Sequence, residues 1–247
     1  MNRVAVVTGG GSGIGRSICE HLARQGRRVA VLDLDGDGVE GVAEAVRGIG
    51  ADSFAAQVDV ADRRAVDAAF DEVRAAFGPI EILVTSAAIS GFVPFESITL
   101  EDWLRTLSVN LTGTFNCLQS AIPDMATARW GRIVTISSAA GQTGSPRQGH
   151  YSASKGGVIA LTKTVALEYA GKGITANTIP PFTVDTPMLH AAQESKHLPN
   201  TDALARMVPV GRLGTCDDIA AVCAFLCSDE ASYITGQVIG VNGGAVT

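Results

Sequence analysis

Two hydrophobic rhythms alternate along the chain. The first is a set of short, largely apolar runs at residues 3–8, 28–33, 53–58, 80–84 and 132–137. Runs of this kind suit strands buried on both faces of a parallel sheet. Between them, apolar residues recur three and four positions apart. Ile18 and Leu22 form one such set, Val39, Val42, Val46 and Ile49 a second, and Val66, Phe70, Val73 and Phe77 a third. These spacings predict amphipathic helices. Gly26, Gly50 and Gly78-Pro79 end them, and Asp62 is placed to cap the third. Beyond a loop through Gly91 and Pro94, a helical region is expected from about residue 100 to 125, with Asn110 inside it. Another helix begins near Tyr151. Residues 173–179 read as a sixth strand, broken by Pro180 and Pro181. Residues 182–211 have weak periodicity and scattered prolines, which predicts a mobile insertion over a site. Residues 217–227 are helical, and residues 237–241 form a last strand before Gly243-Gly244.

Strand and helix alternate throughout. The expected fold is α/β, a doubly wound parallel sheet with helices on both faces. No linker, repeat or low-complexity tract divides it, so residues 1–247 read as one domain, with a substrate loop at about 182–211. In such a sheet all strand ends lie on one edge, and ligands bind in the crevice outside it. Polar residues gather there. The turn from Gly9 to Gly15 follows the first strand, Asp33 ends the second, Asp59 the third, Ser86 follows the fourth and Ser138 the fifth.

The glycine turn lies between a strand and a helix, the context a dinucleotide site requires. Glycines let the backbone approach a pyrophosphate, and the helix N-terminus offers free N–H groups and a positive dipole end. Asp33 lies eighteen residues after Gly15, near where an acid bonds the adenosine ribose hydroxyls. A carboxylate there repels a 2′-phosphate, and no Arg or Lys lies between residues 30 and 41. NAD is therefore expected rather than NADP. Asp59-Val60 would then lie beside adenine.

Tyr151 and Lys155 are four residues apart and share a helix face. A free tyrosine has a pKa of about 10. A neighbouring ammonium and a bound nicotinamide cation favour tyrosinate and lower that value. Tyr151 could then exchange a proton with a substrate oxygen. Ser138 could hold that oxygen, and on the residues alone Ser137 is its rival. His150 adjoins Tyr151 but cannot share its face, so a rim or interface role is expected.

Composition narrows the picture. With 46% hydrophobic and 18% charged residues, the chain can bury a sizeable core. A net charge of −6 and the lack of a basic run argue against nucleic acid as a partner. The five cysteines show no zinc-type pairing, so no metal is expected, and Cys223 and Cys227 read as core. A strand pattern by Val4 leaves no room for a signal peptide, and no run reaches membrane-span length. A cytoplasmic protein with reduced thiols is expected.

Thr8-Gly9-x-x-x-Gly13-x-Gly15, Asn110, Ser138, Tyr151-x-x-x-Lys155 and Asn242-Gly243-Gly244 together resemble the short-chain dehydrogenase/reductase family, especially 3-oxoacyl-(acyl carrier protein or CoA) reductases. The resemblance covers the whole chain. It implies a seven-stranded Rossmann-type sheet, a homotetramer and a catalytic set of Asn110, Ser138, Tyr151 and Lys155. It selects Ser138 over Ser137, assigns Lys155 to the nicotinamide ribose, and gives Asn110 a water that relays protons to Lys155. The cofactor residues it implies are Gly9, Ser12, Gly13, Ile14, Gly15, Asp33, Leu34, Asp59, Val60, Ser86, Ala87, Ala88, Tyr151, Lys155, Pro181, Val184 and Thr186. Two departures stand out. Thr85-Ser86-Ala87-Ala88 replaces the usual Asn-Asn-Ala-Gly, and Pro180-Pro181-Phe182 replaces the usual Pro-Gly.

Phe182 is therefore expected to wall the substrate pocket or pack on the nicotinamide, with Phe92, Gln142 and Met188 facing the same space. Met188, Leu189, Leu198, Leu204 and Met207 make the substrate loop mostly apolar, which suggests a hydrophobic or acyl substrate. The expected reaction interconverts a secondary alcohol and a ketone with NAD, first a 3-hydroxyacyl/3-oxoacyl thioester. An alicyclic, aromatic or steroidal alcohol is the alternative substrate. A nucleotide-binding protein without turnover is the alternative class.

Overall fold

The structure is a computed structural model that describes residues 2–247. Its strands are β1 (Val4–Thr8), β2 (Arg28–Asp33), β3 (Ser53–Gln57), β4 (Ile82–Thr85), β5 (Gly131–Ile136) and β6 (Ile174–Ile179). Its α-helices are α1 (Gly13–Arg24), α2 (Gly36–Ile49), α3 (Arg63–Phe77), α4 (Leu100–Leu107), α5 (Gly113–Ala128), α6 (Ala140–Thr143), α7 (Gly149–Tyr169), α8 (Pro187–Glu194), α9 (Thr201–Ala205) and α10 (Cys216–Leu226). The sheet is parallel, in the order β3-β2-β1-β4-β5-β6. That order reverses between β1 and β4, which is where a doubly wound sheet opens its crevice.

Side chains alternate across the sheet with a period of two. Ala5, Val7, Val29, Val31, Val84 and Val134 pack with α1, α2 and α10 on one face. Val4, Val6, Ala30, Leu32, Leu83 and Ile133 pack with α3 and α5 on the other. Both faces are buried, which is why these strands read as continuous apolar runs.

Among the described residues the sheet has six strands, not the seven expected. Residues 237–241 meet β6 at one bridge, Thr178 with Val238. Thr178 donates its N–H to Gln237 O and Ile239 donates to Thr178 O, both at 2.9 Å. Around that point side-chain bonds interrupt the backbone ladder, which includes Gly236 N–H to Ala176 O at 2.8 Å. The Thr235 hydroxyl takes the Ala176 N–H at 3.1 Å, and Asn177 Oδ1 takes the Gln237 N–H at 3.1 Å.

Two further differences concern the site. The helical region around Asn110 is split by a π turn, Ser108–Thr112, in which the Gly113 N–H reaches back to Ser108 O. The insertion after β6 carries two helices rather than irregular chain. Thr186 caps α8 with Pro187 in its first turn, and Asn200 caps α9. Both caps are sequence signals, but the helices are too short to show a period. Leu189, Leu204 and Leu213 bury one another in a small core of their own. Those leucines therefore hold the insertion together and do not make the substrate pocket apolar.

Candidate active site

The glycine turn is shaped by close approach. Gly9 has φ +66°, and a Cβ there would lie 2.5 Å from the Ala87 nitrogen. A Cβ on Gly15 would lie 1.9 Å from Gly9 O, so α1 can pack onto the turn only without a side chain there. Ser12 sits at the N-cap of α1, yet its hydroxyl makes no capping bond. Ile14 is partly buried behind it. Asp33 closes the turn from β2, accepting the Gly11 N–H at 3.0 Å through Oδ2 and the Asp35 N–H at 3.2 Å through Oδ1. Leu34, next to it, is exposed.

The neighbouring strand ends complete the rim. Ser86 donates its N–H to Thr8 O at 3.0 Å, tying the segment that carries Ala87 and Ala88 to β1. Asp59 caps its own turn, accepting the Ala61 N–H at 2.9 Å, while Val60 is buried. Pro181 O accepts the Ala139 N–H at 2.9 Å, which joins the Ser138 loop to the segment after β6. Val184 pairs with Gly214, and Thr186 and Pro187 lie against Gly13. The chain after β6 therefore folds over the glycine turn. A helix N-terminus that no side chain caps, glycines pressed against backbone, and a carboxylate at the end of β2 fit a nicotinamide dinucleotide.

Ser137 and Ser138 separate clearly. Ser137 is buried and hydrogen-bonded to Thr178 at 2.8 Å, inside the sheet. Ser138 lies beyond it, half-buried, accepting the Ala140 N–H at 3.1 Å, with its side chain close to the Tyr151 phenol. Lys155 is buried one turn below. Its Nζ donates to Ile136 O at 2.9 Å and stands 5.8 Å from the centre of the Tyr151 ring. Burial lowers the Lys155 pKa to about 8. Burial also pushes the Tyr151 phenol up, with the neighbouring Ser138 side chain opposing it. The lowering of Tyr151 by Lys155 that the sequence suggests is thus not a property of the protein alone.

Asn110 is fully buried at the π turn, with both ends of its amide engaged. Oδ1 accepts the Ile89 N–H at 2.8 Å, and Nδ2 donates to Ile89 O and to Ser154 Oγ, each at 3.0 Å. It braces the segment after β4 against the helix that carries Lys155. Its side chain is directed to these partners rather than to Lys155.

The expected substrate residues are dispersed. Met188 lines a cavity of about 460 Å³ together with Ser90, Asp102, Arg105, Thr106 and His150. Phe182 is 37% exposed, so it does not point into the core. It borders a different recess, of about 210 Å³, with Val208, Val210 and Val241. Phe92 stacks on His197, with ring centres 5.4 Å apart, and Gln142 is exposed on α6. His150 is buried at 3% exposure, contrary to the expected rim position. Arg147, which sequence reasoning passed over, joins three loops at this edge. Its carbonyl accepts the Val93 N–H at 2.7 Å, its guanidinium donates to His197 O at 2.8 Å, and its CZ lies 5.6 Å from the Phe92 ring centre. Its left-handed φ of +62° has no marker in the sequence.

A family model described as enoyl-(acyl carrier protein) reductase matches residues 9–246. The 3-oxoacyl-[acyl-carrier-protein] reductase FabG of Staphylococcus aureus is 41% identical over 245 residues, 99% of this chain and 98% of the relative. The chain belongs to the short-chain dehydrogenase/reductase family. As a short-chain dehydrogenase/reductase of the 3-oxoacyl reductase-like kind, it is an oxidoreductase acting on an alcohol or ketone. D-threitol dehydrogenase of Mycolicibacterium smegmatis is 40% identical over 242 residues, 98% of this chain and 92% of the relative. The solved structure of NAD+-bound xylitol dehydrogenase superposes with a TM-score of 0.93 at 32% identity, covering 98% of each chain.

Proposed function

We propose that this protein interconverts a secondary alcohol and a ketone with NAD(H). The observation that carries this reading is the placement of the Ser138 and Tyr151 side chains next to each other, with the buried Lys155 ammonium 5.8 Å from the Tyr151 ring centre. Ser138 and Tyr151 would hold the substrate oxygen between them. Tyr151 takes the hydroxyl proton in oxidation and returns it in reduction, and Ser138 stabilises the partial negative charge. A bound nicotinamide accepts or supplies the hydride. Glycine-turn backbone would hold its pyrophosphate, Asp33 its adenosine ribose, and Lys155 its nicotinamide ribose. The Asp33 carboxylate and the NAD+-bound structural neighbour support NAD over NADP. The same reading makes the molecule a cytoplasmic homotetramer of single-domain subunits.

A 3-hydroxyacyl/3-oxoacyl thioester is the substrate that the reductase relatives at 41% identity support. A short polyhydroxylated alcohol is the second reading. It is supported by the polar lining of the Met188 cavity and by the threitol and xylitol dehydrogenases among the similar proteins. The test of the reaction itself is Tyr151→Phe. Turnover should fall by about a thousandfold or more, while NADH binding, read by fluorescence titration, stays within about threefold. Near-normal turnover would remove the proton-transfer role.

A further inference from the structure

Tyr151 is gripped at its backbone as well as set beside Ser138. Ser154, one turn along α7 and fully buried, donates its hydroxyl proton to Tyr151 O at 2.7 Å. A serine inside a helix often bonds back to its own helix in this way, and the bond bends that turn. Here the same oxygen has a second partner. It accepts the Asn110 Nδ2–H at 3.0 Å, from a side chain that is also fully buried.

The direction of each bond in this chain is forced. The Ile89 N–H needs an acceptor, so Asn110 turns Oδ1 to it, at 2.8 Å. Nδ2, which can only donate, then faces Ile89 O and Ser154 Oγ. Ser154 has one proton and the Tyr151 carbonyl can only accept. The hydroxyl therefore gives its proton there and takes the amide proton on a lone pair. The amide cannot flip, and the hydroxyl cannot rotate, without leaving a buried polar group unpaired, which is costly. Asn110 is also fixed from behind, because the Thr114 hydroxyl donates to its backbone carbonyl at 2.8 Å.

Ser154 thus links the turn that carries Tyr151 to Ile89, which ends the Ser86-Ala87-Ala88 rim after β4. The other end of that rim is tied to β1 by the Ser86 N–H at Thr8 O, 3.0 Å away. An alanine at position 154 would suit the helix, since alanine is its best former. The Tyr151 turn would lose its link to the rim and keep the one that Lys155 makes at Ile136 O. We propose that Ser154 is a positioning residue, which sets where the Tyr151 phenol stands relative to Ser138 and to a cofactor on the rim. The proposal rests on Tyr151 as the proton-transfer residue and adds a residue that acts through it. Placement matters in such a step, because a shift of about 1 Å can cost about a hundredfold in rate.

The test is Ser154→Ala, assayed in NAD-dependent oxidation of 3-hydroxybutyryl-CoA and of xylitol, with whichever the parent turns over. kcat should fall at least about tenfold, while KM for NAD and NADH affinity by fluorescence stay within about threefold. Ser154→Thr keeps the hydroxyl and should recover most of the lost kcat. A general loosening of the fold would weaken NADH binding as well and would not depend on the hydroxyl. Thermal unfolding gives a second measurement should threonine pack poorly. Asn110→Ala and Ser154→Ala should be non-additive, the double variant losing clearly less Tm than the sum of the two. Normal kcat in Ser154→Ala overturns the proposal, as does an equal weakening of NADH binding or an additive loss of Tm. If Tyr151→Phe keeps its turnover, or the parent oxidises neither compound while binding NADH, the alcohol–ketone reading falls and this role with it. If Tyr151→Phe is inactive and Ser154→Ala is normal, only the role of Ser154 falls.

Discussion

Lys155 and Tyr151 lie one helical turn apart, yet the Lys155 ammonium is directed at the Ile136 carbonyl, 2.9 Å away, and not at the phenol. A lysine placed this way would serve the proposed proton-transfer residue by the charge it keeps under the site and by the groups it can still donate to. That charge is held against burial, which lowers its pKa to about 8 from 10.5.

A stability profile follows from that shift. Between pH 8 and 10.5 the unfolded chain binds the Lys155 proton more fully than the folded chain. The slope of unfolding free energy with pH is therefore positive in that window. Lys155→Met removes the group from both states. The stability of the parent relative to this variant should rise from pH 7 to pH 10, by on the order of 3 kcal/mol across the full shift. Denaturant titrations at pH 7, 9 and 10 measure it. A flat difference would show that Lys155 is not held against its charge.

Asn110→Ala leaves the Ile89 N–H and C=O and the Ser154 hydroxyl without their amide partner. The expected loss is about 3 kcal/mol, or roughly 6 to 12 °C in Tm for a chain of this length. Turnover should fall with it, because the segment after β4 loses its tie to α7. Thermal unfolding that shifts by less than about 2 °C would mean the amide is not a brace.

Asp33→Asn keeps an oxygen acceptor for the Gly11 N–H and removes the charge. NADPH binding should improve relative to NADH by about tenfold or more, since a carboxylate no longer faces a 2′-phosphate. Fluorescence titration with both cofactors reads the ratio directly. A ratio within about twofold of the parent would refute the role given to Asp33.

Arg147 pins the Phe92 and His197 loops from a left-handed backbone position. Arg147→Ala should raise KM severalfold with a smaller change in kcat, and speed hydrogen exchange in residues 195–200. Arg147→Gly loses the same contacts but relieves the strained φ, so it should be more stable than the alanine variant by about 1 kcal/mol. Equal stability of the two would contradict the strain. Unchanged exchange would contradict the latch.

Much of the fold was legible because its signals are local. Runs such as residues 4–7 are apolar at every position because both sheet faces are covered, and the helix stripes follow from one-sided burial. The glycine turn, Asp33 and the Tyr151–Lys155 spacing were readable for the same reason. Strand, turn and helix bring each to the carboxyl edge whatever the rest of the chain does. The final strand was over-read. Residues 237–241 have a strand's composition, but along this edge the Asn177 and Thr235 side chains take some of the bonds a ladder would make, leaving one backbone bridge at Thr178.

What the sequence by itself determined is the doubly wound parallel sheet, the edge on which polar strand-end residues gather and the residues proposed to carry the chemistry there. Only the tertiary structure decided how they are used. It separated Ser137 from Ser138 by one step past the end of β5, and turned Asn110 into a brace through a π turn. It buried the leucines of the insertion against one another, and placed His150 and Arg105, 45 positions apart in sequence, on one cavity. Composition and spacing report which face an element buries. Which side chains from distant segments meet, and which polar atoms are left without partners, depends on how the elements pack together.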